Sequence, residues 1–144
     1  MKIKEAKNNE TRVCGLLNKI GTFELIDDEF CPYDIIGEFK GIKTYVEVKK
    51  RRHKWDTFYI EKQKIDTIVN LMENQKDAVM GWLILSLAEG DFIYDIYQIK
   101  NYPIKDILMN TQTAVEFPKY GEKKILPVFE FPFDLHFNTL NKIQ

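Results

Sequence analysis

The stretch Tyr33-Asp34-Ile35-Ile36-Gly37-Glu38-Phe39-Lys40-Gly41-Ile42-Lys43-Thr44-Tyr45-Val46-Glu47-Val48-Lys49 leaves this chain few ways to fold. It reads as two short strands joined at Lys40-Gly41, and a tight two-residue turn there pairs Phe39 with Ile42 and counts outward in register. Opposed residues share a face, so the register sets Asp34 opposite Glu47 and lines one face with Asp34, Ile36, Tyr45, Glu47 and Lys49. Ile35, Phe39, Ile42, Val46 and Val48 line the other. A three-residue loop with Gly41 in a bulge would slip the register by one and turn Asp34 away from Glu47. The clean apolar face favours the even register. Two facing carboxylates with an ammonium one strand repeat away form an oxygen-rich site that suits a hard cation such as Mg²⁺, with the lysine near a bound water. Such a site serves phosphodiester cutting. The plain alternative is a solvated surface hairpin, because Glu-x-Lys is a common tripeptide.

A chain of 144 residues, 44% of them apolar, is long enough for one domain with its own core, and no linker or repeat divides 1–144. No apolar run is long enough to span a bilayer and Met1-Lys2-Ile3-Lys4-Glu5 lacks the apolar segment of a secretory signal, so an intracellular, cytoplasmic protein without a membrane partner is expected. Cys14 and Cys31 stand apart, without the paired spacing of a zinc site, and read as small buried thiols. With only His53 and His136, a histidine-rich zinc centre or a His-dependent nuclease is hard to build. The net charge of −1 excludes a strongly basic, non-specific nucleic-acid binder. Charge is concentrated instead: Lys50, Arg51, Arg52, His53 and Lys54 follow directly on Lys49, beside the place of a scissile phosphate. That cluster is a phosphate-binding candidate, or else a solvated loop after a strand. The bias toward lysine, isoleucine and asparagine suggests an AT-rich bacterial or phage genome.

In chain order, Val13, Leu16, Leu17 and Ile20 fall at helical spacing, which predicts a helix from about Glu5 to Ile20 closed by Gly21 in the left-handed position. Glu10 lies on or beside its buried stripe and needs a partner. Thr22–Ile26 alternates as a first strand, and Asp27-Asp28-Glu29 reads as an acidic turn. Tyr59–Met72 predicts a second helix with Ile65, Ile68, Val69 and Met72 on its packed face. The nearly continuous apolar run Met80–Ala88 fits a strand buried on both faces, and Phe92–Ile99 a further strand antiparallel to it. From about residue 103 an irregular extension is expected, with a short helix over Pro103–Met109. Pro118, Pro127 and Pro132 argue against central strands beyond it. Phe129, Phe131 and Phe133 share a face if extended, and would seal the core or meet a second subunit.

Pro32-Tyr33-Asp34, a hairpin and then Glu47-Val48-Lys49 resemble the PD-(D/E)xK nuclease superfamily. The order of elements is similar to that of the archaeal-type Holliday junction resolvases, over roughly residues 10 to 100. The family usually has proline directly before the aspartate, whereas Tyr33 intervenes here. The resemblance implies an α/β (α+β) fold with a restriction-endonuclease-like core, order α-β-β-β-α-β-β, its central mixed sheet flanked by helices. It implies a Mg²⁺-dependent DNA endonuclease of recombination or repair, with Mn²⁺ as a substitute, and foremost a Holliday junction resolvase acting as a homodimer on branched DNA. A restriction-like or repair endonuclease, or a non-cutting nucleic-acid-binding protein of the same fold, is the alternative. Asp34, Glu47, the Val48 carbonyl and Glu10, with Glu5 as second choice, would hold the metal, and Lys49 would orient the attacking water. Relatives also place a glutamine or lysine near the start of the second helix, matched by Gln63 or Lys64, of which Gln63 is preferred.

Overall fold

The computed structural model describes residues 4–110 and 123–143. Helix α1 (Lys4–Leu17) leads into β1 (Thr22–Leu25), β2 (Ile35–Phe39), β3 (Ile42–Lys50) and β4 (Thr57–Glu61). Then come α2 (Lys62–Glu73), β5 (Val79–Leu87), β6 (Gly90–Asp95), α3 (Ile96–Lys100), β7 (Ile104–Asn110), β8 (Lys123–Pro132), a 3₁₀ turn (Phe133–Leu135) and β9 (Asn138–Thr139). A six-stranded mixed sheet runs in the order β1-β2-β3-β5-β6-β9, with β3 and β5 parallel at its centre and its other pairs antiparallel. A second, three-stranded antiparallel sheet runs β4-β8-β7.

The hairpin takes the even register. Phe39 pairs with Ile42, Ile36 with Tyr45 and Ile35 with Val46. Lys40 and Gly41 both have positive φ, 52° and 79°, as a type I′ turn requires. Both faces of the sheet are covered, which is why β5 reads as a continuous apolar run. One face carries Tyr45, Leu83, Leu85 and Tyr94 under α2, whose Ile65, Ile68, Val69 and Met72 belong to the same core. The other carries Ile35, Phe39, Val46, Val48, Trp82 and Ile84 under Val13, Cys14 and Leu17 of α1.

Four expectations about helices and strands change. Tyr59 to Glu61 is strand rather than helix: Thr57–Glu61 alternates outward and inward with Phe58 and Ile60 buried, and the helix begins only at Lys62. The strand read over Phe92–Ile99 stops at Asp95, whose side chain caps α3 by accepting from the Tyr97 amide. Pro103–Met109 is no helix, because Ile104–Asn110 pairs along β8, and the segment expected to be irregular holds regular strands. In β8 itself Pro127 and Pro132 are tolerated inside a central strand: β4 reaches only as far as Val128, so no donor is wanted from Pro127 on that side, and Pro132 is the last residue. Pro118 lies outside the described residues. The chain up to β6 therefore runs α-β-β-β-β-α-β-β rather than α-β-β-β-α-β-β, because β4 stands before α2.

Phe129, Phe131 and Phe133 are all buried in the core beneath α2 and seal it. Cys14 is buried, whereas Cys31 is only half-buried. Gly21 does not take a left-handed conformation, since the described glycines with positive φ are Gly41 and Gly90. It is needed for close approach: a Cβ there would stand 2.3 Å from the Glu38 carbonyl oxygen of β2. Gly21→Ala should therefore push β1 off β2 and cost about 1–3 kcal/mol. Gly15→Ala on α1, where nothing lies within 4 Å of the added methyl, should be neutral or stabilising. Urea denaturation midpoints of the two variants check the contrast.

Candidate functional site

Asp34 is fixed from three directions. Its amide donates to the Val46 carbonyl at 2.9 Å, its carbonyl accepts from the Ile26 amide at 2.9 Å, and its Oδ2 accepts from the Val48 amide at 2.9 Å. The regular ladder ends at Ile35 and Val46, so Asp34 is not the Cα partner of Glu47 that the register implied. The irregular start of β2 instead swings its carboxylate across β3, where it takes a backbone donor and lies within electrostatic reach of Glu47.

Glu47 stands on the central strand, opposite Leu83 of the parallel neighbour β5, and is 2% exposed. Lys49 Nζ lies 3.9 Å and Lys64 Nζ 3.6 Å from its Oε1, while its Oε2 is buried with no hydrogen-bond partner. Lys64 arrives from the first turn of α2, where no acidic residue stands and a cation opposes the helix dipole. Its neighbour Lys62 is answered by Asp66 one turn on. Lys64 is answered by Glu47, across the core. Gln63, preferred from sequence, is exposed, and Lys64 is the α2 side chain that reaches the carboxylates.

Electrostatics follow from this packing. Burial, then the charge of Asp34, push the Glu47 carboxyl from 4.5 up to about 8, against the pull of Lys49 and Lys64. Burial lowers the Lys49 ammonium, with Lys64 and Arg51 adding to the shift and Glu47 opposing it. For Lys64 burial also lowers, but Glu47, Asp34 and Glu61 together outweigh it and the ammonium is raised. A buried oxygen without a protein partner is costly. Here it belongs to a carboxylate beside a second carboxylate, a donor set of hard oxygens that fits Mg²⁺ or Mn²⁺. Among the described residues no three of His, Cys, Asp and Glu gather into a metal-holding group. Mg²⁺ is commonly held by one or two carboxylates while keeping several waters, so the pair suffices.

Glu10 is buried on α1, whose apolar stripe packs against the face of Val46 and Val48, across the sheet from the α2 core that takes in Tyr45. Glu5 is exposed and pairs with Lys50 at 3.3 Å. In the basic loop Arg51 is half-buried, which lowers its guanidinium, and Arg52, His53 and Lys54 are exposed. The acidic turn stays a turn: Asp27 pairs with Lys7 at 2.6 Å and Asp28 accepts from the Phe30 amide. Arg12 was not singled out by any motif. It forks onto both oxygens of Asp91 at 2.7 and 2.8 Å, with Ser86 donating to the same carboxylate, and these bonds outweigh burial to hold Asp91 low. With Lys50, Arg51 and Arg52 it lines a cleft of about 550 Å³ at the end of β5. Only tertiary pairing reveals it, because Arg12 and Asp91 are far apart in sequence.

Between pH 4.5 and about 8 the folded chain keeps a Glu47 proton that the unfolded chain has lost. Stability from this group is full below 4.5 and falls as pH rises toward 8, by at most roughly 1.4 kcal/mol per pH unit. Glu47→Gln, which imitates the protonated acid, should flatten that slope in urea titrations of metal-free protein. An unchanged slope would refute the assignment. Because a metal needs the carboxylate, Mg²⁺ or Mn²⁺ binding near neutral pH should release a proton from the wild type, read by calorimetry in buffers of different ionisation enthalpy.

Neither a protein-family model nor a curated protein sequence matches this chain. Among solved structures it is similar to Hjc, a Holliday junction resolvase from the archaeal hyperthermophile Archaeoglobus fulgidus. The TM-score is 0.60 at 11% sequence identity, covering 98% of this chain and 99% of that one. At that identity the likeness is one of fold: the chain has the mixed α+β architecture of that resolvase, with a central mixed sheet flanked by helices.

Proposed function

We propose that this chain is a metal-dependent DNA endonuclease of the PD-(D/E)xK type and that its substrate is branched DNA, foremost a Holliday junction. The observation that carries this reading is Glu47: a carboxylate buried at the centre of a sheet, beside Asp34 and between two lysines, with one oxygen that no protein group satisfies. A purely structural residue in that position would be apolar. The fold shared with a junction resolvase supports the same reading.

Asp34, Glu47 and the Val48 carbonyl would hold Mg²⁺, or Mn²⁺ in its place; Glu10, on the helix packed against the other face of the sheet, is not gathered with them. When bound, the ion neutralises the phosphate and acidifies its water. Asp34 is held in place by the Val48 amide, so its carboxylate costs little reorganisation. Lys49, its ammonium lowered by burial, is suited to orient the attacking water and to exchange a proton with it. Lys64 shields the charge on Glu47 while the phosphate approaches. Lys50, Arg51, Arg52, His53 and Lys54, at the exit of β3, would bind the phosphates flanking the cut. Such an enzyme would work as a homodimer in the cytoplasm, in recombination or repair.

A non-cutting DNA-binding protein of the same fold is favoured by one observation, the lack of a third gathered acidic ligand among the described residues. Cleavage of labelled four-way junction, flap and linear duplex in Mg²⁺ or Mn²⁺ decides between them. Symmetric cuts confined to the junction, lost in Glu47→Ala, are expected. Cutting of every substrate would indicate a general endonuclease, and metal-independent binding alone the non-cutting reading. Replacing Arg51 and Arg52 by alanine should weaken binding to all DNA forms and reduce the slope of log affinity on log salt by about one to two.

A further inference from the structure

The loop between β3 and β4 leaves an indole in solvent next to a lysine that lies over an aromatic ring. Lys54, itself exposed, places its Nζ 4.7 Å over the Phe133 ring, while the adjacent Trp55 is 62% exposed. Apolar burial alone would choose the opposite, since an indole has far more apolar surface to gain from packing on Phe133 than a lysine has. Nor is the loop loose. The Arg51 amide donates to the Ser86 carbonyl at 3.0 Å at one end, and the Phe133 amide donates to the Asp56 carbonyl at 2.8 Å at the other. Between these anchors the His53 ring meets Trp55 edge-on at 5.8 Å, bracing the indole from one side.

The position adds a second observation. Trp55 lies six residues beyond Lys49 and directly follows Arg52, His53 and Lys54. A flat exposed ring behind a row of cations is the combination that binds single strands, in which phosphates meet the charges and an unpaired base stacks on the ring. The other strongly exposed ring near the start of β2, Phe30 at 80%, sits instead behind Asp27, Asp28 and Glu29, a setting that repels phosphate.

We infer that Trp55 is a stacking platform for an unpaired nucleobase of DNA, held out by the anchored loop so that the protein prefers DNA with unstacked bases at a branch or opening over continuous duplex. The inference rests on the nuclease reading and supplies it with a source of substrate-shape selection, because a base inside a duplex has no free face to offer. Arg52 and its neighbours hold any DNA backbone; Trp55 adds affinity only where a base is free.

The test is fluorescence anisotropy with a labelled duplex and with the same duplex carrying a short unpaired bubble, in Ca²⁺, at one salt concentration. Wild type should bind the bubble more tightly, Trp55→Ala should lose that preference by roughly tenfold while keeping its duplex affinity, and Trp55→Phe should retain most of it. Indole fluorescence should be quenched by the bubble in the wild type and not in Trp55→Phe, in which the buried Trp82 is the one tryptophan left. Phe30→Ala should behave as wild type. Equal bubble binding by Trp55→Ala and wild type, or equal loss on duplex and bubble, would overturn the inference. If wild type binds neither DNA, or binds but cuts no substrate with Mg²⁺ or Mn²⁺, it is the nuclease reading that fails.

Discussion

A carboxylate cannot be kept ionised at the centre of a sheet without compensation, and the site is organised around that cost. Glu47 faces the core that holds Tyr45, Leu83 and Leu85, so burial alone drives it toward the neutral acid. The compensating charges come from separate elements, Lys49 from the next residue on the same face of β3 and Lys64 from the first turn of α2. Neither satisfies Oε2. The architecture therefore leaves a defined electrostatic gap, open to a group that brings positive charge and accepts hard oxygen donors.

The same packing explains why α2 begins where it does. Phe58 and Ile60 anchor β4 under the main core, Glu61 closes the strand, and the helix starts at once without a side-chain cap. The abrupt junction brings Lys64 within reach of Glu47, although a lysine in the first turn gains nothing from the helix dipole. Asp34 is placed by an equally local device. The irregular entry into β2 gives its side chain a backbone donor from β3, anchoring it where a regular ladder would have offered only a neighbour.

Charge on the molecule is organised on two scales. The overall balance is near neutral, yet Arg12, Lys50, Arg51 and Arg52 converge on one cleft at the end of the central strands, and Arg12 is held there by a fork onto Asp91. The neighbouring loop, with Lys54 laid over Phe133 and Trp55 exposed, adds an aromatic ring beside that basic surface. A near-neutral chain can in this way present a concentrated basic face without being a general polycation.

The parity of the 34–49 hairpin was legible in the sequence, because a two-residue turn at Lys40-Gly41 and strict alternation leave one register that keeps Ile35, Phe39, Val46 and Val48 together. So were the helical stripe of α1, the buried strand β5 and the alternation that sets Glu47 and Lys49 two apart on β3, all of which depend on periodicity over neighbouring residues; the seat of Asp34 was not, because the regular ladder ends at Ile35 and Val46. The start of α2 was misplaced, since Thr57–Glu61 and the helix share apolar residues whose period is ambiguous over so short a stretch. The strands β7 and β8 were hidden for a related reason: their prolines forbid only those hydrogen bonds that a partner strand demands, and where β4 ends is a tertiary fact. Lys64 over Gln63, Arg12 on Asp91 and the outward turn of Trp55 were decided by the same long-range packing. Sequence by itself determined which residues share a strand face, because covalent geometry sets that locally. Only the tertiary structure decided which charges meet, because those meetings join residues whose separation along the chain carries no periodic signal.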